Sequence, residues 1–308
     1  MPIDPPHAQS SFIAISGSSG LIGRALLARL RLNGERVRRL VRSADPESPD
    51  DIVWDPMRGT LDPRQLDGVA AVIHLAGEPI AQRWTGARRD AIRESRVRGT
   101  ELLARTIAAL DRKPDAFLSG SAVGYYGDTG DEAVDEESAS GNDFLAQVAR
   151  EWEAATGAAR SAGVRVVLLR TGIVLSPHGG ALERLLPPFR LGVGGPIGTG
   201  RQWMSWIALE DHLRAMEHAT ATVGLHGPVN LVAPNPVTNA EFAATLGRVL
   251  DRPAIVPVPA FALELLYGEM ARSTILAGQR VAPNKLLRSG FHFAHPTLEE
   301  ALRFELAR

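Results

Sequence analysis

The chain has 308 residues, 44% of them hydrophobic, and 34 basic residues against 35 acidic ones leave a formal charge of −1. That balance argues against nucleic acid and anionic membrane as partners, because their binders carry a basic excess or block. With no cysteine there is no disulfide, thiol nucleophile or Cys-ligated metal, and no apolar run approaches the roughly 20 residues that span a bilayer. The polar lead MPIDPPHAQSS carries no signal-peptide pattern, so the expected compartment is the cytoplasm.

Phe12–Ser16 (FIAIS) reads as a strand, followed by GSSGLIG and a helical pattern that Gly34 stops. Arg36–Arg42 is a second strand and Ile52–Trp54 a short third one, and Val69–Leu75 is a buried strand ending in Ala76-Gly77. A long helix covers 86–110, a strand Asp115–Ser121, a helix 143–162 and a strand Val164–Leu169. Strands alternating with helices predict an α/β fold, a doubly wound Rossmann-type parallel sheet with right-handed crossovers. After Arg170 the texture changes: residues 176–200 hold seven glycines and four prolines around ALERLL. Trp203–Ile207 reads as a strand returning to the sheet and Leu209–Thr220 as a helix. Helices at 239–250, near 260–278 and near 297–306, with a proline-rich stretch at 253–259, predict a smaller C-terminal cap. Apolar residues on those helices (Phe261, Leu265, Leu266; Leu298, Leu302) predict faces that cover a neighbour.

The spacing Gly17-x-x-Gly20-x-x-Gly23 between a strand and a helix suits a dinucleotide. The first glycine permits the turn, the second lets the backbone approach a pyrophosphate, and the third lets helix and strand pack closely. Ser18, Ser19, Leu21 and Ile22 complete the turn, whose free N–H groups and helix dipole favour an anion. An NAD enzyme wants an acid at the end of the second strand, about 20 residues on. Here stand Arg42 and Ser43, after Arg38 and Arg39. A guanidinium binds a 2′-phosphate bidentately, so the reading is NADP(H) rather than NAD(H). The expected organisation is an NADP-binding unit over 1–175, rejoined by 201–231, with a substrate-binding cap from 176–200 and 232–308.

SGSSGLIG (16–23) and HLAG (74–77) together resemble the extended short-chain dehydrogenase/reductase superfamily. The stretches SRVRGT (95–100), SGSAVGYYG (119–127), WMSWIALED (203–211) and GQRVAPNKLLRSGFHF (278–293) are similar to its atypical "epimerase family protein" subgroup. The resemblance spans nearly the whole chain. It implies that Leu75, Ala76 and Gly77 line the adenosine side of the cofactor, and that Gly172 passes the nicotinamide. It implies that Ser121 hydrogen-bonds the reacting oxygen, with Tyr125 or Tyr126 beside it. Arg96 stands where the superfamily has an active-site asparagine, as a phosphate or carboxylate ligand or as a partner of Glu78.

One departure limits the mechanism. The superfamily's chemistry rests on Tyr-x-x-x-Lys, yet the only lysines are Lys113 and Lys285, with Ala109 and Val281 four residues before them. The helix that should carry the pair reads Phe144 and Val148. An unperturbed phenol, with a pKa near 10, is ionised about one part in a thousand at pH 7, which suits a proton donor better than a base. Carbonyl reduction is therefore the expected direction. Arg96, Glu151 and Glu153 are further candidates, and Trp84, Trp203 and Trp206 are candidates to line a substrate cavity. The histidines show no metal-ligand spacing, so no metal is expected. Three functions stay open: an NADP(H)-dependent oxidoreductase on a small carbonyl, hydroxyl or sugar-nucleotide compound, a sugar-nucleotide epimerase, and a non-catalytic NADP(H)-binding sensor or partner-binding protein. Self-association as a homo-oligomer is left open too.

Overall fold

The computed structural model describes residues 11–307. In chain order, the first half contains β1 (Phe12–Ser16), α1 (Leu21–Leu32), β2 (Val37–Val41), β3 (Ile52–Asp55), β4 (Thr60–Leu61), β5 (Val69–His74), α2 (Gly86–Ala109), β6 (Ala116–Ala122), β7 (Ala133–Val134) and α3 (Phe144–Ala154). There follow α4 (Gly157–Ser161), β8 (Arg165–Thr171), β9 (Ile173–Leu175), α5 (Gly180–Arg190), β10 (Trp203–Met204), β11 (Trp206–Ala208), α6 (Leu209–Ala221) and β12 (Gly227–Leu231). The chain ends with β13 (Val237–Thr238), α7 (Asn239–Leu250), α8 (Ala260–Tyr267), β14 (Arg280–Val281), α9 (Asn284–Arg288) and α10 (Leu298–Leu306).

The central sheet has eight strands in the order β12-β8-β6-β5-β1-β2-β3-β4, and all neighbours are parallel except β3 and β4. Both faces are covered by helices, which is why inner strands such as β1 and β5 read as mostly apolar runs. Ile13 and Ile15 join a core with Leu26, Leu30, Leu213 and Met216, while Phe12 and Ala14 join another with Leu103 and Ile107. Strand order reverses between β1 and β5, which opens a crevice at their carboxyl ends. The helices start at local signals: Thr85 and Asp143 cap α2 and α3, and capping boxes at Thr238/Glu241 and Thr297/Glu300 open α7 and α10.

Four expectations are corrected. Residues 203–207 do not rejoin the central sheet; β10 pairs antiparallel with β13, and β11 pairs parallel with β9. The edge strand is β12, whose Gly227-Pro228 start hides its strand character. The helix expected at 143–162 is two, because the Thr156 hydroxyl donates to the Glu153 carbonyl at 2.7 Å and turns the chain before Gly157. The helix near 260–278 breaks at Gly268, where φ is 61°, and resumes over 269–275 with a π-helical turn. Among the described residues the apolar face of its first part is left open, for Phe261, Leu265 and Leu266 are 73%, 75% and 62% exposed.

The other C-terminal helices do bury their faces. Phe242, Leu246, Leu298 and Leu302 share a third core with Leu182, Leu186 and Trp206. Leu302→Ala is expected to cost about 3 kcal/mol by emptying a fully buried site, whereas Leu265→Ser should stay within about 0.5 kcal/mol. Urea unfolding of the two variants checks this difference.

Candidate functional site

The crevice begins at the glycine turn after β1. Gly17 has φ 72°, and a Cβ there would lie 2.7 Å from the Ala76 nitrogen and the Leu75 carbonyl carbon. A Cβ on Gly23 would come 2.2 Å from the Gly17 oxygen, so only glycine lets α1 sit this close. Gly20 donates to the Gly17 carbonyl at 3.1 Å and is the N-cap of α1, and no side chain caps it. The first-turn N–H groups over Leu21, Ile22 and Gly23 therefore remain open to an anion. Ser18 and Ser19 span the turn, and the loop after β9 reaches over it, with Gly179 packed on Leu21.

The end of β5 closes on this turn through a buried contact. The Ser16 hydroxyl accepts from the Leu75 and Ala76 N–H groups at 3.2 and 3.4 Å and meets His74 Nδ1 at 2.5 Å. With the serine oxygen taking two backbone donors, its own proton goes to Nδ1 and the ring proton sits on Nε2. Burial, with a smaller push from the Arg96 charge, takes His74 down to about 3, so the imidazole is neutral. Gly77 is held by Arg96, whose guanidinium would lie 3.2 Å from a Cβ there.

Arg96 does not pair with the Glu78 carboxylate. It donates to the carbonyls of Glu78 (3.0 Å) and Ile92 (3.1 Å) and stacks 5.1 Å from the Trp152 ring centroid. Burial, opposed by the Glu78 charge, lowers it to about 10. The Glu78 carboxylate binds Arg88 instead. At the end of β2, Arg38 donates to the Asp50 and Gln65 carbonyls, and Arg39 grips Asp51 with two bonds. Arg42 and Ser43 are exposed, and Arg42 has no hydrogen bond or ion pair among the described residues.

The second half of the site hangs on the ends of β6 and β8. Ser121 donates to Glu153 Oε1 at 2.7 Å. Arg170 holds both oxygens of the same carboxylate, at 2.8 and 2.9 Å, and donates to the Tyr126 hydroxyl at 3.0 Å. Tyr126 in turn donates to Asn230 Oδ1 at 2.8 Å, and the Asn230 N–H reaches Glu136. Ser121, Tyr126, Glu153, Arg170, Asn230 and Glu136 are all buried. Burial drives Tyr126 up to about 12, against the pull of Arg170. Burial works against the charge on Arg170, and the hydrogen bonds and charge of Glu153 outweigh it and raise the guanidinium above its ordinary value. Tyr125 is half-buried, with Arg170 stacked 3.5 Å from its ring centroid.

The structure thus brings Ser121, Tyr125 and Tyr126 together, and separates the two tyrosines by environment. It adds Arg170, Asn230 and Glu136, which sequence reasoning missed; the available signal was a basic residue ending the buried run VRVVLLR. Glu151 lies outside the network, paired with Arg93. Trp206 is fully buried in the core rather than in a cavity wall. Trp203 donates to Asp131, and Trp84 packs edge-on against Phe144 at 5.2 Å. Gly172 lies against Ser205 and Val232 with no room for a side chain. Among the described residues no group of three or more His, Cys, Asp or Glu is arranged to hold a metal, and no helix is long and apolar enough to cross a membrane.

His74 and His212, which burial lowers to about 4, both stay neutral in the fold while an unfolded chain protonates them near 6.5. Their contribution is full above pH 6.5 and is lost as pH falls from there toward 4, at up to about 1.4 kcal/mol per pH unit for each. Unfolding midpoints between pH 7 and 4.5 should fall along this line, and His74→Asn should give a lower midpoint at pH 7 with a shallower slope.

Comparison with known proteins bears on the fold and the family. The model of the NAD dependent epimerase/dehydratase family matches residues 13–231, and a domain of unknown function (DUF1731) matches 258–305. An epimerase family protein of Mycobacterium bovis is 47% identical over 300 residues, covering 97% of this chain and 99% of its own. The crystal structure of human epimerase family protein SDR39U1 (isoform 2) with NADPH aligns with TM-score 0.86 and 33% identity, over 96% of this chain and 99% of that one. A nucleoside-diphosphate sugar epimerase from Corynebacterium glutamicum aligns with TM-score 0.78 and 39% identity, over 96% of this chain and 58% of that one. With its glycine turn, parallel sheet and matched C-terminal region, the chain belongs to the NAD dependent epimerase/dehydratase family.

Proposed function

We propose that this protein is an NADP(H)-dependent oxidoreductase of epimerase/dehydratase-like type, acting on a small carbonyl or hydroxyl compound. The observation that carries the cofactor choice is Arg42. Its neighbours Arg38 and Arg39 spend their donors on the protein, whereas Arg42 is exposed and has no partner among the described residues, at the strand end where a 2′-phosphate would lie. The NADPH in the human relative's structure supports the same choice. The glycine turn and the uncapped start of α1 fit the pyrophosphate, and Leu75, Ala76 and Gly77 follow on the adenosine side. Arg96, bound to two carbonyls, stiffens the segment after Gly77.

A bound nicotinamide supplies or takes a hydride. The chain's part is then to hold the substrate's reacting oxygen and to move its proton, and Ser121 with Tyr125 stands where that oxygen would be. Tyr126 is fixed by Arg170 and Asn230 and serves as a support. The cap, with β9, α5 and the loop over Leu21, is the expected wall of the substrate cleft. A non-catalytic role as an NADP(H)-binding sensor keeps one observation in its favour, the absence of any Tyr-x-x-x-Lys.

Titration should find NADPH bound more tightly than NADH. Arg42→Asp should weaken NADPH roughly tenfold to a hundredfold, the worth of a charged hydrogen bond, and spare NADH. Equal affinities in the unmodified protein would remove the assignment. Gly23→Ala should abolish binding of both, because the methyl group collides with the Gly17 carbonyl. For turnover, mass spectrometry of ligands retained by the purified protein separates the two readings: a second small molecule beside the cofactor favours the enzyme, and cofactor alone favours the sensor.

A further inference from the structure

The missing lysine leaves the phenol without its usual cation, and the fold supplies another. We infer that the buried Arg170–Glu153 pair takes over that lysine's work, with Arg170 stabilising Tyr125 as the proton donor and Glu153 fixing Ser121 as the acceptor. The inference rests on the oxidoreductase reading and assigns residues to it. Arg170 and Glu153 act through Tyr125 and Ser121, so both are positioning residues.

Three observations carry it. The Arg170 guanidinium carbon stands 3.5 Å from the Tyr125 ring centroid, against 5.2 Å for Tyr126, so the cation faces the half-buried ring. The Tyr125 hydroxyl has no hydrogen bond among the described residues, whereas that of Tyr126 is spent on Asn230. The Ser121 proton is committed to Glu153, which leaves only lone pairs on the serine oxygen for a ligand. A substrate oxygen meeting this pair accepts from Tyr125 as a carbonyl and donates to Ser121 as an alcohol.

In the reducing direction the carbonyl carbon takes a hydride from NADPH and its C–O double bond becomes single. The carbonyl oxygen takes the proton from Tyr125, and the phenolate left behind lies against Arg170 until water returns a proton. Carbonyl, NADPH and one proton become alcohol and NADP+. Glu153 keeps Arg170 in place by a two-point grip that an ammonium cannot reproduce.

Both members are removed together, since buried ion pairs exchanged for apolar residues of similar size are often neutral to stability whereas loss of one member leaves a buried charge. The variant is Arg170→Met with Glu153→Leu, checked by its unfolding transition and by an NADPH affinity equal to that of the unmodified protein. The first readout needs no substrate: nitration of Tyr125 by tetranitromethane, counted by peptide mass spectrometry against Tyr267. It should slow several-fold in the double variant and to a lesser degree in Arg170→Lys. The second is NADPH-dependent reduction of a carbonyl panel, where kcat should fall roughly a hundredfold or more with KM little changed, and Arg170→Lys should recover part of it. If the double variant does not fold, Arg170→Gln with Glu153→Gln, which keeps hydrogen-bonding groups and removes both charges, decides, and unmodified values for it in both readouts overturn the inference. An unchanged nitration ratio or an undiminished kcat in the double variant overturns it as well. No turnover by the unmodified protein sinks the oxidoreductase reading instead, while the nitration ratio still judges Arg170.

Discussion

The buried contact between Arg170 and Glu153 holds the strand ends of β6 and β8 to α3. A guanidinium on β8 and a carboxylate on α3 leave water together, and neither is tolerable alone in a low-dielectric core. Their geometry meets the cost: two parallel bonds join them, Ser121 takes a further carboxylate lone pair, and Tyr126 takes a further guanidinium proton. One pair thereby fixes the ends of β6 and β8, the tyrosine turn and the last turn of α3 relative to one another. Through Asn230 and Glu136 the same chain of bonds reaches the edge strand and the N–H of Lys285. Losing one member would leave an uncompensated charge in the core, which is the costly way to break such a pair.

The cofactor half obeys a different constraint, the closeness of backbones. Gly17 and Gly23 leave no space for a methyl group and Gly77 lies tight against the Arg96 side chain, so the turn, the start of α1 and the end of β5 form one rigid block. His74 belongs to this block through Ser16 and acts there as a neutral spacer. The two halves meet at the strand ends, where a parallel sheet exposes its open crevice. Close backbone packing builds the half that suits an anionic cofactor, and buried charge builds the half that suits a proton.

Much of this was legible in the sequence. The strands β1, β5, β6 and β8 follow from mostly apolar runs, β2 from its position after the first helix, and the glycine turn from its spacing between a strand and a helix. The place of Arg42 at a strand end was legible, which made it a candidate phosphate ligand, though its freedom from Asp50 and Asp51 was not. The role of Arg170 was hidden because its partner lies 17 residues earlier on another element and its ring contact comes from a turn 45 residues earlier. The edge strand was hidden by Gly227 and Pro228. For α8, apolar residues at helical spacing suggested a covered face. The helix is instead tied down by its backbone, through Arg83 to the Leu265 carbonyl.

The edge strand β12 lies late in the chain, and its Asn230 completes the Tyr126 hydroxyl's bonding. A ribosome makes Glu153 and Arg170 well before it makes Asn230, and Lys285 emerges later still. Through that interval the nascent chain carries a charged pair whose polar surroundings are unfinished, in a sheet that lacks its last parallel strand. Pairing across such sequence distances is slow, because the loop entropy must be overcome before the contacts form. The bonding of the site is thus complete only after Asn230 and Lys285 have been made, well after both members of the charged pair.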